Sequence, residues 1–73
     1  MNVDEAFEKG AAAIDERIDA ALISDCDAIR ARGATEEEIS DFLARAQRDY
    51  ATWREHTLTE LRAWLERGGE ALQ

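Results

Sequence analysis

Arg30-Ala31-Arg32-Gly33-Ala34-Thr35-Glu36-Glu37-Glu38 is the stretch on which the fold turns. Two arginines followed by a glycine mark a helix end, because cations offset the negative end of the macrodipole and glycine accepts the left-handed residue that closes the last turn. Thr35-Glu36-Glu37-Glu38 then opens a second helix. The Thr35 hydroxyl can accept from the Glu38 amide while the Glu38 carboxylate reaches back to the Thr35 amide, a capping box. Only positions 33–35 remain between the two signals. Moving outward, no proline interrupts either side, and Gly68-Gly69 stops the second segment directly after Arg67. The chain reads as one all-α domain over 1–73, with a helix over 3–32, a turn at 33–35, a helix over about 36–67 and a tail at 68–73.

Apolar periodicity supports both helices. In the second, Ile39, Phe42/Leu43, Ala46, Tyr50, Trp53, Thr57, Leu61 and Trp64/Leu65 recur at steps of three and four on one face. That run covers roughly 30 residues, or about 45 Å of helix. In the first, Phe7, Ala11, Ile14, Ile18, Ala21/Leu22 and Ile29 follow the same rule. Position 25 should continue this stripe and is Asp25. Two readings stay open there: a helix continuous through 24–27, or a kink near 24–26 at which Ser24 caps a short third helix. No internal repeat or low-complexity segment stands out.

Two long helices and a tight turn make an antiparallel hairpin. Its expected core and dimer residues are Phe7, Ile14, Ile18, Leu22, Phe42, Leu43, Tyr50, Trp53, Leu61 and Trp64. Two helices alone leave such stripes half wet, beyond what soluble monomers usually expose. Dimerisation into a four-helix bundle is the first expectation. Folding back of residues 24–32 and docking on another protein are the others. Ala6, Gly10, Ala13, Ala20, Ser24, Ala28 and Ala31 form a line of small residues interrupted by Arg17. Alanine's helix propensity explains most of it, and close approach of another helix is the alternative.

Composition excludes several classes. At 73 residues the chain sits near the size where one core barely stabilises a fold. The lone Cys26 forbids an internal disulfide, and no Cys/His cluster offers a zinc site, so no cofactor is expected. No run approaches the roughly 20 apolar residues of a membrane span. Asp4, Glu5 and Glu8 stand where a secretory signal would be positive, which favours a cytoplasmic protein. Nine basic against 17 acidic residues, net −8, argue against direct binding to nucleic acid or an anionic membrane.

Much of the negative charge has a helical explanation. Asp4, Glu5 and Glu8 lie in the first turns of one helix, and Glu36, Glu37, Glu38 and Asp41 in those of the other. Carboxylates there offset the positive end of the macrodipole, and Arg30, Arg32, Arg62 and Arg67 complement the negative ends. Residues 15 to 27 are different. Asp15, Glu16, Asp19, Asp25 and Asp27 are opposed only by Arg17. Aspartate is a poor residue for a helix interior, and Asp15 and Asp19 repel at a spacing of four. Antiparallel pairing would also bring Asp25 and Asp27 near Glu36–Asp41. Such a surface is either a solvated face that keeps the protein soluble, or a set of carboxylates offered to a groove of Lys and Arg. In the second case Asp15, Glu16, Asp19, Asp25 and Asp27, with Glu37 and Asp41, are the candidate partner-binding residues.

Catalytic signals are poor. His56 has Glu60 four residues on and Asp49 seven back, but no second histidine, glycine-rich loop or nucleophile motif accompanies it. Cys26 sits between two carboxylates, which disfavour a thiolate. The chain does not read as an enzyme.

Through size, acidity and helicity, carried by Asp15-Glu16-Arg17-Ile18-Asp19 and Thr35-Glu36-Glu37-Glu38, the chain resembles the small acidic helical proteins of phages and mobile elements, the anti-CRISPR type among them. The resemblance implies an inhibitor that occupies a positively charged site of a host nucleic-acid-binding complex by mimicking phosphates. In architecture it is also similar to the ROP-type hairpin that dimerises into a four-helix bundle, without the basic face that RNA binding requires. The alternative function is an assembly hairpin that pairs with itself or with a partner helix.

Overall fold

A computed structural model describes residues 2–68 of the chain. It consists of α1 (Val3–Ala31) and α2 (Glu36–Glu66), antiparallel and about 49 Å long by 18 and 17 Å across. The architecture is the all-α helical hairpin expected from the sequence. Of the tail at 68–73, residues 69–73 lie outside the described residues.

Each boundary has a local cause. Asn2 caps α1, its side-chain oxygen accepting from the Glu5 amide at 2.8 Å. At the other end the Ala34 amide donates to the Ile29 carbonyl (3.1 Å) and the Gly33 amide to the Arg30 carbonyl (3.0 Å). This is a Schellman closure, and its left-handed residue is Gly33 with φ +96°. The capping box of α2 is complete. Thr35 Oγ1 accepts from the Glu38 amide at 3.1 Å, and the Glu38 carboxylate accepts from the Thr35 amide at 2.8 Å. That backbone donor holds the Glu38 carboxyl below its ordinary value.

Helix α1 runs without a break through Ser24-Asp25-Cys26-Asp27, so the short third helix is not formed. The interruption expected at position 25 is also corrected. Asp25 is exposed, and the half-buried Cys26 takes its place between Leu22 and Ile29. The rest of the inward face of α1 comprises Val3, Phe7, Ala11, Ile14, Ile18 and Leu22, all half-buried. From α2, Phe42, Leu43, Tyr50, Leu61 and Trp64 are half-buried too. Among the described residues only Ile39, at the closed end of the hairpin, is fully buried, at 5% exposure.

The small-residue line divides. Ala6 and Gly10 are half-buried on the α2 side, whereas Ala13, Ala20, Ser24, Ala28 and Ala31 are exposed. At Gly10 the second helix comes so close that a Cβ would stand 2.5 Å from Leu61 Cδ2. The missing side chain is what admits Leu61, so this leucine belongs to the contact within the hairpin.

Candidate interaction surfaces

The seam between the helices has two flanks of opposite character. On one, arginines of α2 clasp carboxylates of α1. Arg54 donates to both oxygens of Asp15, at 2.6 and 3.2 Å. This hydrogen bonding holds the Asp15 carboxyl below its ordinary value and raises the Arg54 guanidinium. Arg62 donates to Asp4 at 3.0 Å and lies over the ring of Phe7, 4.5 Å from its centroid. Arg62 therefore bridges the helices, which corrects its expected part in offsetting the end of α2. At the closed end Arg30 reaches Glu36 and Asp27, each at 3.4 Å. The Glu36 hydrogen bond raises the Arg30 guanidinium. One cation thus stands within the acidic cluster expected there.

These pairs place the candidate acidic residues differently from one another. Asp15 faces Arg54 across the seam, and Asp27 lies beside Arg30. Glu16, Asp19 and Asp25 are exposed on α1, and Glu37 and Asp41 are exposed in the first turns of α2. Asp19 lines a shallow depression with Asp15, Leu22, Gln47 and Arg54. Asp25 lines one with Phe42, Ala46, Asp49, Tyr50 and Trp53, on the other flank. Asp19 and Asp25 thus line separate depressions.

The second flank is aromatic. Trp53, expected in the core, is 46% exposed, its ring edge-on to Tyr50 with centroids 6.5 Å apart. Phe42 and Trp64 stand 11 residues to either side of it. Eleven residues make just over three helical turns, so residues at this spacing are rotated by only about 20° and line up along a straight helix. The same interval organises the whole of α2. Glu38-Ile39 precedes Phe42 and Arg45; Asp49-Tyr50 precedes Trp53 and His56; Glu60-Leu61 precedes Trp64 and Arg67. In α1 it relates Val3 to Ile14, Phe7 to Ile18 and Ile29, Ala11 to Leu22, and Asp15 to Cys26, all half-buried. An internal repeat is therefore present. Steps of three and four do not reveal it, because they are compatible with both a 7- and an 11-residue period.

His56 is exposed with its Nε2 3.3 Å from a Glu60 carboxylate oxygen. Among the described residues no group of three His, Cys, Asp or Glu is arranged to hold a metal ion, and no helix is long and apolar enough to cross a membrane. Comparison with family models, with curated proteins and with solved structures gives no match to this chain.

Proposed function

We propose that this chain is an assembly module, a helical hairpin whose apolar seam and aromatic flank are completed by a further helical surface. The observation that carries this reading is the imbalance between apolar load and burial. Ile39 alone is fully buried among the described residues, while Trp53 stands 46% exposed beside the half-buried Phe42, Tyr50 and Trp64. Aromatic residues at the centre of an interface are the side chains whose truncation costs most binding energy. In this reading the acidic exterior supplies solubility. Sedimentation velocity at two concentrations, with and without a captured partner, tests it. A sedimentation coefficient that rises on assembly and falls back in Trp53→Ala supports it. A particle of one hairpin under all conditions, with Trp53→Ala unchanged in every interaction, refutes it.

A second reading, the inhibitor of a basic nucleic-acid-binding site, is favoured by Glu16 and Asp19, which project exposed from a stretch where only Arg17 opposes them. Asp15 contributes less to such a surface, because Arg54 already holds its carboxylate. The partner would be a protein complex with a basic surface, engaged faster at low salt. Glu16→Lys with Asp19→Lys should abolish competition with nucleic acid at such a complex while leaving helicity intact. Unchanged competition removes this reading.

A further inference from the structure

We propose that the surface completing the aromatic flank of α2 is the same flank of a second copy of this chain, running antiparallel about a two-fold axis at Trp53. The proposal rests on the assembly reading and adds to it the partner and the register.

The spacing of the flank is symmetric about Trp53. On a helix that rises 1.5 Å per residue, Phe42 lies about 16.5 Å before Trp53 and Trp64 about 16.5 Å after it. A two-fold axis at Trp53 therefore sets the two Trp53 side chains together, and each Phe42 level with Trp64 of the other copy. Trp53 is the most exposed of the three.

The charges obey the same symmetry. Each aromatic residue has an acid four positions before it and a basic residue three positions after it. With the axis at Trp53, Asp49 of one copy falls within about 1.5 Å, along the helix, of the level of His56 of the other. Arg45 falls equally close to the level of the other copy's Glu60. Acidic and basic positions are both rotated to the same side of the aromatic line, by about 40° and 60°. In an antiparallel pair, equivalent sides of the two helices lie together, so opposite charges meet. A parallel pair in register would set the charged sides of the two helices on opposite edges of the interface, where these pairs do not form. Within one hairpin His56 Nε2 lies 3.3 Å from a Glu60 carboxylate oxygen with both side chains 72% exposed, a contact weak enough to exchange for one across the axis.

The elongated hairpin keeps 5576 Å² accessible for a chain of 8.2 kDa, against about 4,500 Å² for a compact monomer of that mass, a surplus spread over all its faces.

Sedimentation equilibrium of the full chain, from micromolar to near-millimolar concentration, tests the proposal. The mass should rise from one chain to two. Trp53→Ala should raise the dissociation constant at least about tenfold with helicity unchanged by circular dichroism. Arg45→Glu and Glu60→Arg, both at exposed positions, should each weaken the dimer by about three- to tenfold. Mixing the two single variants should restore it as a heterodimer, because both contacts between positions 45 and 60 across the axis then join an acid to a base. A chain that stays monomeric throughout overturns the proposal. A dimer that ignores Trp53→Ala, or single variants that mixing does not rescue, overturns the partner surface and register while leaving the assembly reading intact.

Discussion

Gly10→Ala sets two effects of known sign against each other where α1 receives the Leu61 side chain of α2. In an isolated helix the substitution stabilises by about 1 kcal/mol, because glycine loses more backbone freedom on folding than alanine. In this hairpin the new Cβ would stand 2.5 Å from Leu61 Cδ2 and 3.7 Å from its Cγ, whereas non-bonded carbons settle at about 3.5–4.0 Å. The atom met is a methyl at the far end of the half-buried Leu61 side chain, which turns aside at a cost of about 0.5–1.5 kcal/mol. The two effects nearly cancel, and the expected net lies within about 0.5 kcal/mol of wild type. Leu61→Ala removes the clash and itself destabilises by exposing the seam. In that background Gly10→Ala should recover its full gain of about 1 kcal/mol. The coupling between the two sites is then about 0.5–1.5 kcal/mol, within the range of residues in direct contact. Thermal melts followed by helical circular dichroism resolve this, since 1 kcal/mol moves the midpoint of so small a domain by about 4–8 °C. All four proteins must be compared at one concentration, because association shifts the midpoint. Equal gains from Gly10→Ala in both backgrounds would refute the close approach at Gly10.

Asp15 has its folded-state pKa depressed by Arg54, so its contribution is fully present above the ordinary carboxylate value and lost as pH falls through the lowered one. Asp15→Asn should therefore lower the melting midpoint at neutral pH, and its difference from wild type should shrink below about pH 4; a difference independent of pH contradicts the pairing. Ile39→Ala should cost about 2–5 kcal/mol as the truncation of a buried side chain, while Ile23→Ala, at a position 64% exposed, should fall within about 0.5 kcal/mol of wild type. Comparable urea midpoint shifts for the two would contradict the burial described. At the turn, Thr35→Ala should cost about 1 kcal/mol through the lost cap, and Gly33→Ala about 1–2 kcal/mol because φ there is +96°. A neutral result for Gly33→Ala in a chemical denaturation series would mean that the turn is closed in some other way.

Much of the hairpin was legible in the sequence because its determinants are local. The Gly33 closure and the Thr35–Glu38 box are formed by residues within a few positions of one another, so their chemistry can be read without knowing what packs where. The apolar stripes were legible for the same reason, apart from Asp25, where the inward place belongs to Cys26, and Trp53, which is exposed. A reading by threes and fours follows an average of 3.5 or 3.6. It drifts away from the 11-residue interval by about one position in this length of helix.

The candidate surfaces were less legible. Asp15, Glu16 and Asp19 are equivalent acids in the sequence, yet only Asp15 is clasped by Arg54, from 39 positions away. Trp53 and Leu61 belong to the same apolar pattern, yet one faces outward and the other fills the space above Gly10. The sequence by itself determined the closed end of the hairpin, at Gly33 and the Thr35–Glu38 box, and that two helical stretches turn back on one another there, because caps and periodicity act over one or two turns of chain; it left open whether the first runs unbroken through 24–27. Only the tertiary structure decided which flank of each helix faces the other, and so which acids are neutralised and which aromatics remain exposed. That choice depends on the rotation of the helices about their own axes. It is set by contacts such as Asp15–Arg54, Asp4–Arg62 and Gly10–Leu61 between residues far apart in the chain, and no local signal carries it.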